Sequence, residues 1–152
     1  MAGNPAPPPG DKAERAVPPP AGPEQKTDTH ADVILVVDDD AAVRATALMQ
    51  LMRLGYGVRE AGDAPTALQI IESTARIDLL FTDVIMPNMN GKELAIQARL
   101  RRPDLPILFA SGFPGTAQDG GIAFGAEDVL LRKPYRKQEL ARAVRKMLAA
   151  RR

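Results

Sequence analysis

Five short apolar runs constrain the fold of this chain more than any other feature. They are Val33-Ile34-Leu35-Val36-Val37, a weaker Tyr56-Gly57-Val58-Arg59-Glu60, Leu79-Leu80-Phe81-Thr82, Ile107-Leu108-Phe109-Ala110 and Val129-Leu130-Leu131. A run of consecutive large apolar residues leaves no side for water. It suits a strand of a parallel sheet, which is covered by helices on both faces. Parallel neighbours need crossover connections of about a dozen residues, and those connections are right-handed.

The intervening segments carry the 3.6-residue periodicity that such crossovers require. Val43, Ala47, Leu51 and Leu54 recur at helical spacing, and Gly55 falls where a helix C-cap belongs. Asp63, with Pro65 in the next turn, starts a second helix through Leu68 and Ile71. Gly91 to Arg102 forms a third, stopped by Pro103, and Leu140, Val144, Met147 and Leu148 mark the last. Residues 116–125 are poor helix formers, with Gly120 beside Gly121 and Gly125 at the end, so a short or mobile fourth helix is expected there. Five strands alternating with five helices predict an α/β fold with a doubly wound five-stranded parallel sheet.

Ahead of this unit, residues 1–30 hold eight of the 14 prolines and almost no large apolar side chains. Such a stretch cannot offset its ordering entropy by burial, and it reads as a disordered proline-rich tail before a domain over 31–150. The absence of cysteine excludes disulfides, thiolate zinc sites and thiol catalysis, and fits a reducing compartment. A formal charge of +1 gives no strong field for nucleic acid. No stretch approaches the roughly 18 apolar residues that span a bilayer. A cytoplasmic protein without direct nucleic-acid or membrane partners is expected.

In a doubly wound sheet the site lies beyond the carboxyl ends of the strands, where the strand order reverses. The residues at those ends are Asp38-Asp39-Asp40, Asp83, Ser111 and Lys133-Pro134. Carboxylates packed closely raise one another's pKa unless a cation sits among them. A hard divalent ion is implied, and Mg²⁺ fits best because it accepts one or two carboxylates, keeps waters and takes phosphate oxygens in its other positions. Lys133 then suits a point charge on a phosphoryl oxygen. Each residue also has a plainer reading. Asp40 reads most simply as a helix N-cap, and Asp38 or Asp39 alone could be one too. Ser111 beside Gly112 could be a turn residue, and Pro87 and Gly91 loop punctuation.

The segments VILVVDDD, LLFTDVIMPNMNG, PILFASG and LLRKPY, in this order and spacing, resemble the response-regulator receiver family from about Asp32 to Leu148. The resemblance implies a flavodoxin-like strand order 2-1-3-4-5, with Asp83 as the nucleophile that takes a phosphoryl group from a phosphohistidine. It implies Mg²⁺ held by Asp38, Asp39, Asp83 and the backbone carbonyl of Ile85. Ser111 would bond a phosphoryl oxygen, Lys133 would bridge Asp83 and the phosphoryl group, and the Lys133-Pro134 bond would be cis. The implied partners are a histidine kinase or histidine phosphotransfer protein and a downstream protein. The latter would bind the face of the fourth helix, fifth strand and fifth helix, since no output domain is expected after the last helix. His30, the one histidine, lies in the tail and offers no obvious internal donor.

Both a single-domain regulator and the receiver of a hybrid sensor kinase fit, and PILFASGFPG looks more like receivers attached to kinases. Leu130 stands where many relatives carry a switch aromatic, for which Phe113, Phe124 or Tyr135 could substitute. Ile85 and Phe113 are apolar where polar side chains can assist an attacking water, so slow self-dephosphorylation is expected. The basic C-terminal region, Arg132 to Arg152, reads as a solvated helix face more readily than as a partner patch. A metal-dependent phosphatase with an aspartyl nucleophile is a rival, but it usually carries a second acid where Ile85 stands. An unphosphorylated binding module of the same fold would be expected to lack Asp83 or Lys133. A switch rather than a turnover enzyme is the reading that remains.

Overall fold

The computed structural model describes residues 31–112 and 129–151. The proline-rich tail, the fourth helix expected over 116–125, Phe113 and Phe124 lie outside the described residues. In chain order the elements are β1 (Val33–Val37), α1 (Ala41–Arg53), β2 (Gly57–Ala61), α2 (Ala64–Glu72), β3 (Leu79–Asp83), α3 (Gly91–Arg101), β4 (Ile107–Ser111), β5 (Val129–Arg132) and α4 (Lys137–Arg151). Here α4 is the helix expected as the last of five. All strand pairs are parallel, in the order β2-β1-β3-β4-β5.

The apolar runs are explained by the two cores they feed. Alternate residues of one strand point to opposite faces. Leu35, Val37, Leu80, Ile107 and Phe109 pack with Ala67 and Ile71 of α2 and Leu94 and Ala98 of α3. Ile34, Val36, Leu79, Phe81, Leu108 and Ala110 pack with Ala47 and Leu51 of α1 and Leu140, Val144 and Leu148 of α4. Of the expected stripe on α1, Ala47 and Leu51 are buried and Leu54 half-buried, while Val43 remains 36% exposed.

Helix ends follow their local chemistry. Asp40 caps α1 by accepting from the N–H groups of Ala42 and Val43. Asp63 does the same for α2 through Thr66, and Asn90 and Glu93 form a capping box at α3. Gly55, just past α1, has φ +97°, a left-handed conformation that glycine tolerates without a Cβ clash.

Two long-range ties join the elements where sequence periodicity is silent. Buried Asp78 accepts from the Val33 N–H at 2.8 Å and pairs with Arg76 at 2.9 Å, fixing the entry to β3 against the start of β1. Arg102 donates to the carbonyls of Ile71, Ser73 and Ala75, closing the C-terminal end of α2 from the end of α3. Among the described residues no helix is long and apolar enough to cross a membrane.

Because β1 lies between β2 and β3, the chain leaves β1 toward one face and β3 toward the other. A crevice opens between their carboxyl ends. It receives the residues that follow Val37 and end β3.

Candidate functional site

Asp38 leaves β1 and is buried at 6% exposure. Its Oδ1 accepts from the Asp40 N–H at 2.9 Å, and its Oδ2 lies 3.4 Å from Lys133 Nζ. Asp83 ends β3; its Oδ1 accepts from the Val84 N–H at 2.9 Å and lies 3.2 Å from the same ammonium. Asp39 is exposed, yet a carboxylate oxygen of each of Asp38, Asp39 and Asp83 lies within 4.8 Å of the others. The third acid of the triplet, Asp40, is taken up by the cap of α1.

Lys133 enters the crevice from just past β5. Its N–H donates to the Ser111 carbonyl at 2.8 Å, extending the β4–β5 pairing by one bond, and its bond to Pro134 is cis. The ammonium spans Asp38 and Asp83, where the sequence reading gave it Asp83 and a phosphoryl group. Of the basic C-terminal residues with described side chains, Lys133 alone is half-buried; Arg132, Arg136, Lys137, Arg142, Arg145 and Lys146 are exposed.

Ser111 is buried at the end of β4, beside β3 through the pairing of Asp83 with Ala110 and the Val84 N–H bond to the Ala110 carbonyl at 3.1 Å. Ile85 lies two residues beyond Asp83 in the loop to α3, its side chain 44% exposed. That loop folds back through Asn88, whose φ of 73° asparagine tolerates better than most residues. The return brings the Gly91 N–H to the Val84 carbonyl at 2.8 Å.

Burial raises the Asp83 carboxyl above its ordinary range; the nearby Lys133 charge opposes the rise and the Asp38 charge adds to it. For Lys133, burial pulls downward, but Asp83 and Asp38 together outweigh it and hold the ammonium above its usual value. Tyr135 packs edge-on against Phe81 at 6.0 Å between ring centroids, and its hydroxyl is pushed up to about 12 by burial and then by the charges of Asp38 and Asp83. The cluster thus sets three carboxylates against one ammonium, all the acids being hard oxygen donors. That donor set fits a divalent cation of the Mg²⁺ type, and the cluster could hold one.

A raised folded-state pKa means that the stability contributed by Asp83 is present below the unfolded carboxyl range. It is lost as pH rises through the folded value. Asp83→Asn removes that loss. In EDTA at pH 7 the variant is expected to melt above the parent, and the gap should close toward about pH 4. Thermal unfolding at the two pH values checks both halves, and a variant that melts lower at pH 7 would contradict the burial argument.

Residues 34–145 match the response regulator receiver domain. The chain belongs to that family. It is 33% identical over 136 residues to the sensor kinase CckA of Brucella abortus, covering 86% of this chain and 14% of the kinase. It is 40% identical over 116 residues to the response regulator MprA of Mycobacterium avium, covering 76% of this chain and 50% of that protein. The chain therefore spans half or less of the length of these curated relatives. Among solved structures, the receiver domain of the hybrid histidine kinase CckA matches at 38% identity and a TM-score of 0.65, covering 76% of this chain and 98% of that one. A signal receiver domain from Pseudomonas fluorescens matches at 26% and 0.71, covering 80% and 98%.

As a receiver, the domain is a component of two-component signalling, and its sheet has the expected flavodoxin-like order. Leu130, in place of the switch aromatic, is partly buried against the α2 and α3 core. Of the aromatics named as substitutes, Tyr135 is the one among the described residues, and it lines the crevice with Asp38, Asp83 and Lys133. Sequence reasoning passed over Arg44, which bonds the Asp38 carbonyl, and the packing role of Gly91. Neither carries a local pattern; an arginine in the first turn of a helix, where a cation is disfavoured, was the one available signal for the former.

Proposed function

We propose that this receiver is the phosphoacceptor of a two-component phosphorelay, taking a phosphoryl group from a phosphohistidine onto Asp83 and signalling by a change of shape. The observation that carries the reading is the Lys133 ammonium, 3.2 Å from Asp83 and 3.4 Å from Asp38. It is seated among three acids whose oxygens lie within 4.8 Å. Val84 and Lys133 both engage Oδ1 of Asp83, which leaves Oδ2 to attack. A bond forms from Oδ2 to phosphorus as the phosphorus–nitrogen bond of the donor breaks. The imidazole leaves with that electron pair and takes up a proton.

Asp38 and Asp39, with Asp83 and the Ile85 backbone carbonyl, are the residues that would hold Mg²⁺. When bound, Mg²⁺ supplies positive charge opposite the phosphoryl oxygens. Lys133 places a second positive charge there, and the Ser111 hydroxyl donates to a phosphoryl oxygen, so that charge spread over the equatorial oxygens meets fixed partners. The donor is a histidine kinase or a histidine phosphotransfer protein. A groove suited to it runs beside the crevice, between Val43, Thr46 and Gln50 of α1 and Gly112, Lys133, Pro134 and Tyr135. This accounts for the exposure of Val43. The signal leaves to a downstream protein through the face that includes β5 and α4. The working unit is the domain over 31–150 behind a proline-rich tail, and its place is the cytoplasm.

Intact mass after incubation with acetyl phosphate and Mg²⁺ tests the chemistry. The parent is expected to gain one phosphoryl group, and Asp83→Asn or an excess of EDTA to prevent the gain. Equal labelling of the variant would sink the assignment of Asp83. Steady turnover of a phosphate ester would return the phosphatase reading.

A further inference from the structure

Asp39 is the carboxylate of the cluster with the least to hold it. Asp38 is buried and pinned by the Asp40 N–H and Lys133, and Asp83 by the Val84 N–H and Lys133. Asp39 is exposed and has no such partner among the described residues. Its placement therefore rests on the backbone, above all on the peptide joining it to Asp38.

Arg44 holds that peptide. Its Nη1 donates to the Asp38 carbonyl at 2.7 Å, and its Nε pairs with Glu60 Oε1 on β2 at 2.8 Å. Two prongs of one planar guanidinium fix its direction as well as its distance. The side chain is 18% exposed, and Gly62 leaves it room, since a Cβ there would lie 3.3 Å from Nη1. Arg44 also stands in the first turn of α1, where a cation opposes the helix dipole. A merely solubilising role does not account for that position.

We infer that Arg44 is a positioning residue for the acid cluster: it ties the Asp38–Asp39 peptide to β2 and so aims the Asp39 carboxylate into the crevice, with Glu60 as its anchor. The inference rests on the metal-site reading of Asp38, Asp39 and Asp83. Residues that orient metal ligands typically change metal affinity by 10- to 100-fold, and Arg44→Ala is expected at the low end, about tenfold weaker for Mg²⁺. Glu60→Ala, which frees the guanidinium to swing, should weaken binding less. Arg44→Lys should recover only part of the loss, because one ammonium cannot serve both prongs.

Calorimetric titration of Mg²⁺ into the parent and these variants reads the effect. A purely structural role would lower melting temperature and leave the dissociation constant alone, and that result overturns the inference. If Arg44→Ala does not fold, Glu60→Ala decides by the same criterion. A parent that binds no Mg²⁺ overturns the metal reading and this inference with it, whereas a binding parent with unchanged variants overturns only the role of Arg44.

Discussion

Lys133→Met is expected to slow the labelling of Asp83 by acetyl phosphate about a hundredfold, the usual scale for removing one preorganised group that stabilises developing charge. Methionine keeps most of the length of the stem and removes only the ammonium that now touches Asp83 at 3.2 Å and Asp38 at 3.4 Å. The same change has a signature in stability. Without Lys133, the influences left on Asp83 that raise its pKa, burial and the Asp38 charge, lose their main opponent. The folded-state value moves further above the unfolded one, so stability is lost as pH rises through it and recovered in acid. In EDTA the variant should therefore melt below the parent at pH 7 and approach it near about pH 4. A gap of equal size at both pH values would point to lost packing rather than lost charge. Labelling at the parent rate would remove Lys133 from the chemistry.

The sequence carried the strands and the acids at their ends because both depend on short-range chemistry. A run such as Leu79 to Thr82 has only one comfortable environment, between two helical layers, and Asp83 follows it directly. Asp40 could be read as a cap because the bonds it makes reach only to Ala42 and Val43. The boundaries slipped where the pattern was weak: β2 runs from Gly57 to Ala61, one residue later than its apolar reading, since buried Ala61 is too small to stand out from its neighbours. What stayed hidden acts across long separations. Arg102 reaches three carbonyls about 30 residues away, and Asp78 reaches Val33 across 45. No spacing rule announces either. The Arg44 contact with Glu60 likewise exists only once β2 lies beside β1. Asp38, Asp83 and Lys133 were readable together because the topology rule names the place where strand ends meet, even though Lys133 lies 95 residues from Asp38.

Gly91 read as loop punctuation, but its packing predicts one of the largest losses of stability in the domain. It is the first residue of α3, with no left-handed φ to justify a glycine. The reason is close approach. A Cβ built there would collide with the Asp83 carbonyl oxygen and lie 3.0 Å from Val84 Cα and 3.1 Å from Asp83 C. All three neighbours are backbone, so no side chain can rotate out of the way. Either α3 lifts off or the end of β3 moves, and the second displaces Asp83 itself. Gly91→Ala is expected to cost about 3 kcal/mol, at the upper end of overpacking costs, and to slow labelling of Asp83 in the fraction that folds. Gly55→Ala is the comparison. Its Cβ meets nothing within 4 Å, and its cost comes only from φ +97°, about 1–2 kcal/mol with labelling unchanged. Urea unfolding of the two variants separates the mechanisms. If Gly91→Ala proves no worse than Gly55→Ala, the start of α3 does not press on the end of β3 as closely as described.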